Sequence, residues 1–500
     1  MMRAKWFTYF LAGFSVVARA QTTPADKHAF TAMDWAGLHS ARAVDVAPKT
    51  GSVLYQVTFG GKQGPTNLEW WTVARDGSGR RKLDLPKDFK PAGFTREGDA
   101  LYGSYEVGKL TQFAVFSLQA VTSGATPATV VMLPRGIRSV IPSPDGSQYA
   151  ILFDPRPPDP LADVRTVIEP EQTGLYVIHA GGTAGQRWCP NLSQISEVAW
   201  SNGSRSLAVL SSTPKIGYHS IRSFLDVCSG QTSRRVAEID NQAANLAWDR
   251  KDENLVFLST VTHVLTPDHV WSVPASGGAP KDRTPALQGS AIGLTGDPQG
   301  RIWVAVNHGV RGEVDEFAHG ALNPAYTWPA GTIEGPPVFS RFPAGSSGFA
   351  FTVGDPNHAS NVAVASAGAG AGKVAKITAE GDKELASIEL GNVQVVHWTS
   401  KEGTPLEGIA TFPTGYIAGR KYPFLVLPHG GPEANDNLAL DPMARIVAGL
   451  GYVVLQPEYR GSTGYGSDFM EAIYQHFGGR AYRDVDSATD YAISQGWADP

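Results

Sequence analysis

The chain has 500 residues, too many for one ordinary domain, so two or more are expected. It is 42% hydrophobic and 18% charged, with 55 Gly, 35 Pro, 12 Trp, 16 Tyr and 21 Phe, a globular, turn-rich composition that leans toward β structure. The net charge of −5, the pI of about 6.2 and the lack of any basic block argue against nucleic acid as a partner.

At the N-terminus, Arg3 and Lys5 precede a mostly apolar run from Trp6 to Ala18, and Ala18-Arg19-Ala20 fits a small-x-small cleavage site. The pattern predicts a signal peptide over residues 1–20 and an exported protein, periplasmic or extracellular, starting near Gln21. The competing reading is a membrane anchor, but the apolar run is short for a span. No later segment is apolar enough to cross a bilayer.

From residue 38 to 390 a polar turn precedes a short apolar strand seven times. The strands are anchored at Leu54, Leu101, Tyr149, Leu207, Leu255, Ile302 and Phe349, with spacings of 47, 48, 58, 48, 47 and 47. The turns before them include Ala47-Pro48-Lys49-Thr50-Gly51, Ser143-Pro144-Asp145-Gly146 and Asp249-Arg250-Lys251-Asp252. The long interval holds the Pro-rich run Arg156–Pro160, which reads as a loop added to one repeat. A period near 48 with several strands per unit predicts a β-propeller of about seven four-stranded blades. An eighth blade using residues 28 to 40, and the closure of the ring, stay open. The low-complexity tract Ala367–Gly372 is expected to form a hairpin tip with no role in chemistry.

The only two cysteines, Cys189 and Cys228, fall near strand ends in neighbouring repeats. In an exported protein they are free to pair; two buried thiols are the alternative. Two Cys without a His cluster do not make a metal site, and no cofactor site is evident.

After residue 390 the pattern changes. His397 to Gly408 reads as two short strands around a Gly turn, and Tyr422–Leu427 and Tyr452–Leu455 read as buried strands. Asp441–Leu450 suits a helix with Met443, Ile446, Val447 and Leu450 on its apolar side. Ser467–Phe477 and Tyr482–Ser494 suit helices, the second with Val485, Ala488, Tyr491 and Ala492 on one face. This alternation predicts a mostly parallel sheet with helices on its faces. Two Gly-rich turns follow the buried strands: His429-Gly430-Gly431-Pro432 and Tyr459-Arg460-Gly461-Ser462-Thr463-Gly464-Tyr465-Gly466. Such turns expose backbone N–H groups at the edge of an α/β enzyme's site.

With Trp398-Thr399-Ser400-Lys401-Glu402-Gly403 and the closing Trp497-Ala498-Asp499-Pro500, these motifs resemble the prolyl oligopeptidase family, in its acylaminoacyl-peptidase and dipeptidyl-peptidase-like branch. The resemblance implies a propeller over residues 38–390 followed by the N-terminal part of an α/β-hydrolase domain over 391–500. It implies a serine peptidase that hydrolyses short peptides by acyl transfer through a Ser–Asp–His triad, without metal or cofactor. Gly431 matches the residue whose backbone N–H contributes to the oxyanion hole. His429, Gly430, Pro432, Arg460 and Tyr465 support the active-site loops, His429 ordering its loop by hydrogen bonds and Arg460 bracing the loops against an acid rather than touching a substrate carboxyl.

No Gly-x-Ser-x-Gly nucleophile elbow occurs in the 500 residues. Nucleophile, acid and base are therefore expected beyond Pro500, and the sequence as it stands is expected to be a fragment without activity. Ser462, Ser467, Asp468, His476 and Asp484 cluster in sequence, but Ser467 and Asp468 read as N-cap residues and His476 as a helix C-terminal charge. The alternative is a non-catalytic exported propeller that binds a protein or glycan. Peptide specificity and oligomeric state are not legible.

Overall fold

In the computed structural model, residues 27–499 are described apart from 62–63, 109, 120–125, 134–135, 154–173, 214–221, 261–265, 343–347, 367–373 and 477. The segment expected to be a signal peptide, the Pro-rich run Arg156–Pro160 and the Ala367–Gly372 tract lie outside the described residues. Seven antiparallel four-stranded sheets occupy residues 40–83, 89–131, 137–188, 195–239, 243–282, 290–326 and 332–376. Each is built from four consecutive strands, so each blade is complete in itself. The seven anchor residues all fall in the second strand of their blade. Residues 28–40 do not form an eighth blade. His28–Ala29 pairs in parallel with Ile388–Glu389, Ala32–Gly37 is a helix with a Thr31–Asp34 capping box, and Ser40 already opens blade 1.

First strands lie side by side between blades 1 and 2, 3 and 4, 4 and 5, and 5 and 6, and the joints between blades are made by side chains. A separate apolar cluster fills each of the seven junctions, including Ala41, Val57, Ala350 and Val362 between the first and last blades. Polar contacts add direction. Most first strands carry a bulge, which frees N–H groups from the ladder. A side chain of the preceding blade then accepts them. Asp45 accepts from the Phe94 N–H at 2.7 Å, Glu197 from those of Asn245 and Leu246 at 2.8 Å each, and Asn245 from that of Leu294 at 2.8 Å. Between the same strands the indoles of Trp200 and Trp248 donate to the carbonyls of Ile141 and Ala199. Cys189 and Cys228 form a disulfide, with 6.1 Å between Cα atoms, that ties the end of blade 3 to the third strand of blade 4.

The C-terminal sheet runs in the order Val393–Thr399, Pro405–Thr411, Val453–Glu458, Phe424–Val426. It is mixed rather than mostly parallel. The first two strands form a hairpin turning at Gly403, and the second meets Val453–Glu458 antiparallel. Only Phe424–Val426, joined to Val453–Glu458 through a helix, makes a parallel ladder. That helix, Pro442–Gly449, is capped by the Asp441 carboxylate, which accepts from the Ala444 N–H. It turns Ala444, Arg445 and Ala448 inward and leaves Met443 and Leu450 exposed, contrary to the face expected from spacing. The reason is Arg445, whose guanidinium donates to the Pro356 and Gly391 carbonyls and so pins the helix to blade 7 and the linker. Helix Ser467–Glu471 is shorter than expected. Helix Arg480–Ser494 buries Ala488 and Ala492 against the sheet as expected, together with Asp484 and Ser487.

Candidate active-site edge

Phe424–Val426 and Val453–Glu458 are parallel neighbours, so the turns that follow them leave the same end of the sheet. Gly431, in the first turn, is exposed and adopts φ 129°. A Cβ there would lie 2.6 Å from the Glu433 nitrogen, so only glycine fits. Among the described residues nothing accepts a hydrogen bond from its N–H. Gly430 is exposed and offers its carbonyl to His429 Nδ1 at 2.9 Å, and the Pro432 carbonyl accepts from the Ala434 N–H.

His429 stacks on Tyr459 with ring centroids 4.6 Å apart, and its Nε2 lies 2.8 Å from Ser462 Oγ. The Ser462 hydroxyl donates its one proton to the Tyr459 carbonyl at 2.7 Å, so Nε2 donates to Ser462. Nδ1 faces a carbonyl and donates as well. A ring with two donors is an imidazolium. Burial opposes that charge, but the Glu458 carboxylate 3.4 Å from Nε2 outweighs it and raises the His429 pKa. Glu458 accepts from the Asp436 N–H at 2.7 Å, while burial and the Glu458 charge push the Asp436 carboxyl up to about 7.

Serine, histidine and carboxylate stand together here, yet not as a triad. Ser462 has no solvent exposure and its proton is spent on a carbonyl. Glu458 approaches the same nitrogen that meets the serine, where a triad needs the acid on the opposite one. The other clustered residues do not assemble either. Gly466, not Ser467 or Asp468, is the N-cap residue of the short helix, and no side chain caps it. His476 is exposed and lies past the end of that helix, so it makes no helix-terminal contact there. Asp484 is committed to Arg460. It accepts from the Arg460 backbone N–H and Nε at 2.9 and 2.7 Å on one oxygen and from Nη2 at 2.8 Å on the other. Arg460 also donates to Glu402 at 2.7 Å, joining the second turn to the hairpin that opens the sheet.

The second turn hangs on the propeller. The Gly464 carbonyl accepts from the Gly309 N–H at 2.8 Å, and the Gly464 N–H donates to Ser290 Oγ at 2.9 Å. The Thr463 hydroxyl and the Asn307 side-chain amide both donate to Asn435 Oδ1, which draws the two turns together against blade 6. The Tyr465 hydroxyl donates to Glu407 at 2.6 Å, and the same carboxylate accepts from the Val310 N–H. Sequence reasoning passed over Glu458, Asp436, Asn435 and Glu407. Glu458 carried a signal, as an acid at the end of a strand that opens on Val453, Val454 and Leu455. Among the described residues no group of three or more His, Cys, Asp or Glu is placed to hold a metal ion, and no helix is long and apolar enough to cross a membrane.

Residues 439–500 match the prolyl oligopeptidase family. A probable dipeptidyl-peptidase 5 of Aspergillus niger is 34% identical over 113 residues, 22% of this chain and 15% of that protein. A dipeptidyl peptidase family member 6 of Caenorhabditis elegans is 37% identical over 84 residues, 17% of this chain and 11% of that protein. Over its last part the chain is therefore similar to the prolyl oligopeptidase family. The family-matched stretch holds the Pro442–Gly449 helix, the Val453–Glu458 strand, the Arg460 turn and the Arg480–Ser494 helix. The chain spans only about a seventh, or less, of the length of these curated relatives. A likeness of fold to solved structures extends over nearly the whole chain. An acylaminoacyl peptidase of Pyrococcus horikoshii superposes with a TM-score of 0.72, covering 92% of this chain and 72% of that one at 14% identity. A puromycin-hydrolyzing peptidase of Mycobacterium tuberculosis gives 0.63, covering 96% and 76% at 19% identity.

Proposed function

We propose that this chain supplies the propeller and the oxyanion wall of an exported serine-type peptidase that hydrolyses short peptides by acyl transfer. The observation that carries the reading is Gly431. Its exposed N–H, without an acceptor of its own, sits at the sheet end where the two turns meet. Such a donor stabilises a tetrahedral oxyanion by about 3–4 kcal/mol. The imidazolium of His429, locked between Gly430, Ser462 and Glu458, holds the loop and is not a base. The propeller covers the site and admits short or unfolded peptides. The attacking serine, its base and its acid are not among these 500 residues.

A second reading, an exported propeller that binds a protein or glycan without catalysis, draws on the Ser462–His429–Glu458 cluster being buried and lacking triad geometry. Reading the DNA that follows codon 500 separates the two. A segment encoding Gly-x-Ser-x-Gly supports the peptidase. A resequenced stop followed by no Ser–Asp–His region in any frame sinks it. The purified chain is expected to stay unlabelled by a fluorophosphonate serine probe, and stoichiometric labelling of one Ser would revive a triad inside these residues.

A further inference from the structure

Four residues before the last residue of each first strand, at Val46, Phe94, Pro142, Trp200, Trp248 and Gly296, one position recurs in blades 1 to 6. Arg42, Lys90, Arg138, Ser196, Ala244 and Ile292 occupy it, 48 residues apart except across the long third repeat. Blades 1, 2 and 3 thus place three cations in a continuous arc, and blades 4, 5 and 6 place none. All three cations are exposed. Arg138 lines an axial cavity of about 520 Å³, and Arg42 lines an adjoining one of about 390 Å³. Arg138 is held in place by donating to the Ser196 carbonyl at 2.5 Å. Among the described residues the side chains of Arg42 and Lys90 form neither a hydrogen bond nor an ion pair. The same cavities hold acids, Glu197 near Arg138 and Glu334 near Arg42, but Glu197 already accepts from the Asn245 and Leu246 N–H groups and Glu334 from Ser360, so the exposed cations keep donors for a ligand.

The arc also has a position. First strands begin on the face where the C-terminal turns dock, because Ser290, which accepts from the Gly464 N–H, opens the first strand of blade 6. Arg42, Lys90 and Arg138 lie in the first half of their strands, so they sit toward that same face, Arg42 and Arg138 lining the axial cavities and Lys90 on the blade between them. Guanidinium and ammonium donors there match a carboxylate.

We propose that Arg42, Lys90 and Arg138 form a carboxylate-binding site beside the axial cavities, which holds a short peptide by its C-terminal carboxylate or by an acidic side chain. The proposal rests on the peptide-substrate reading above. It makes the propeller a selector for anionic peptides as well as a steric cover.

The test uses the purified chain and fluorescence anisotropy with N-terminally labelled penta-alanine as the free acid, as the amide, and as an amide with a central Glu. The free acid or the Glu peptide is expected to bind about tenfold more tightly than the neutral amide, with an advantage that shrinks as salt rises. Preference for the free acid assigns the site to the C-terminal carboxylate, and preference for the Glu peptide assigns it to a side chain. Arg42→Gln and Lys90→Gln, which break no hydrogen bond, are expected to reduce that advantage severalfold. Arg138→Lys, which keeps the charge, is expected to retain most of it. Equal affinity for all three peptides, or an unchanged preference in the double Gln variant, overturns the carboxylate site and leaves the peptide reading standing. Failure of every peptide to bind overturns both.

Discussion

Asp484 has no solvent exposure, and every hydrogen bond its carboxylate accepts comes from Arg460. The pair is a single unit. Removing the guanidinium leaves a buried charge with only one backbone donor. Arg460→Ala is expected to cost about 3–5 kcal/mol of stability by urea denaturation, and adding Asp484→Asn to recover part of it. A loss under 1 kcal/mol from Arg460→Ala would mean that Glu402 and solvent suffice. An acid partner for Arg460 was expected from the family resemblance. Its identity was not legible, because Asp484 reaches Arg460 from a helix that only the fold brings close. The same holds for His429. Its motif was visible, but Glu458 and Ser462, which make it a cation, lie about thirty residues on.

At the scale of elements, the turn carrying Gly464 depends on close backbone approach. Gly464 has φ 90°, and a Cβ there would lie 2.9 Å from the Gly309 carbonyl oxygen. Gly464→Val is expected to part the turn from blade 6, cost about 1–3 kcal/mol, and speed hydrogen exchange at the Gly309 amide. Unchanged protection there would remove this contact from the account of how the two parts are held. The disulfide offers a second probe. Cys189 and Cys228 are 39 residues apart, so reduction is expected to cost about 4 kcal/mol, with new exchange confined to blades 3 and 4. Element types and order could be read from the sequence because period and turn chemistry agree. The face of the Pro442–Gly449 helix could not. Apolar spacing favoured Met443 and Leu450, while the docked face is two alanines and an arginine chosen by carbonyls of blade 7 and the linker.

Across the whole molecule, stability depends on the joints between blades, and one joint is sensitive to pH. Asp45 is buried between blades 1 and 2, and burial pushes its carboxyl up from 3.8 to about 7. Below the lower value both folded and unfolded chains hold the proton. Between the two only the folded chain does, so stability falls as pH rises, and above about 7 the loss is complete. The loss is at most about 4 kcal/mol. Asp45→Asn keeps an acceptor for the Phe94 N–H and is expected to flatten this slope and raise the melting temperature at pH 8. A melting temperature that climbs between pH 5 and 7 in the wild type but not in the variant would reverse the sign. The count of seven blades was legible from a period that survives even the long third repeat. The bulge-and-acceptor joints were not, since they pair residues almost fifty positions apart by a local irregularity that leaves no periodic trace.

Because every blade is a complete sheet, no strand is borrowed across the junction where the first blade meets the last. That junction is built of the same materials as the other six: one apolar cluster and side-chain contacts, here including Arg80 with Glu380 and the Ala43 N–H donating to Thr352. The ring therefore has no privileged place to be cut. A circular permutant opened between blades 4 and 5, with residues 376 and 40 bridged by a flexible linker, is expected to refold into the same wheel, its order around the axis indifferent to where synthesis begins.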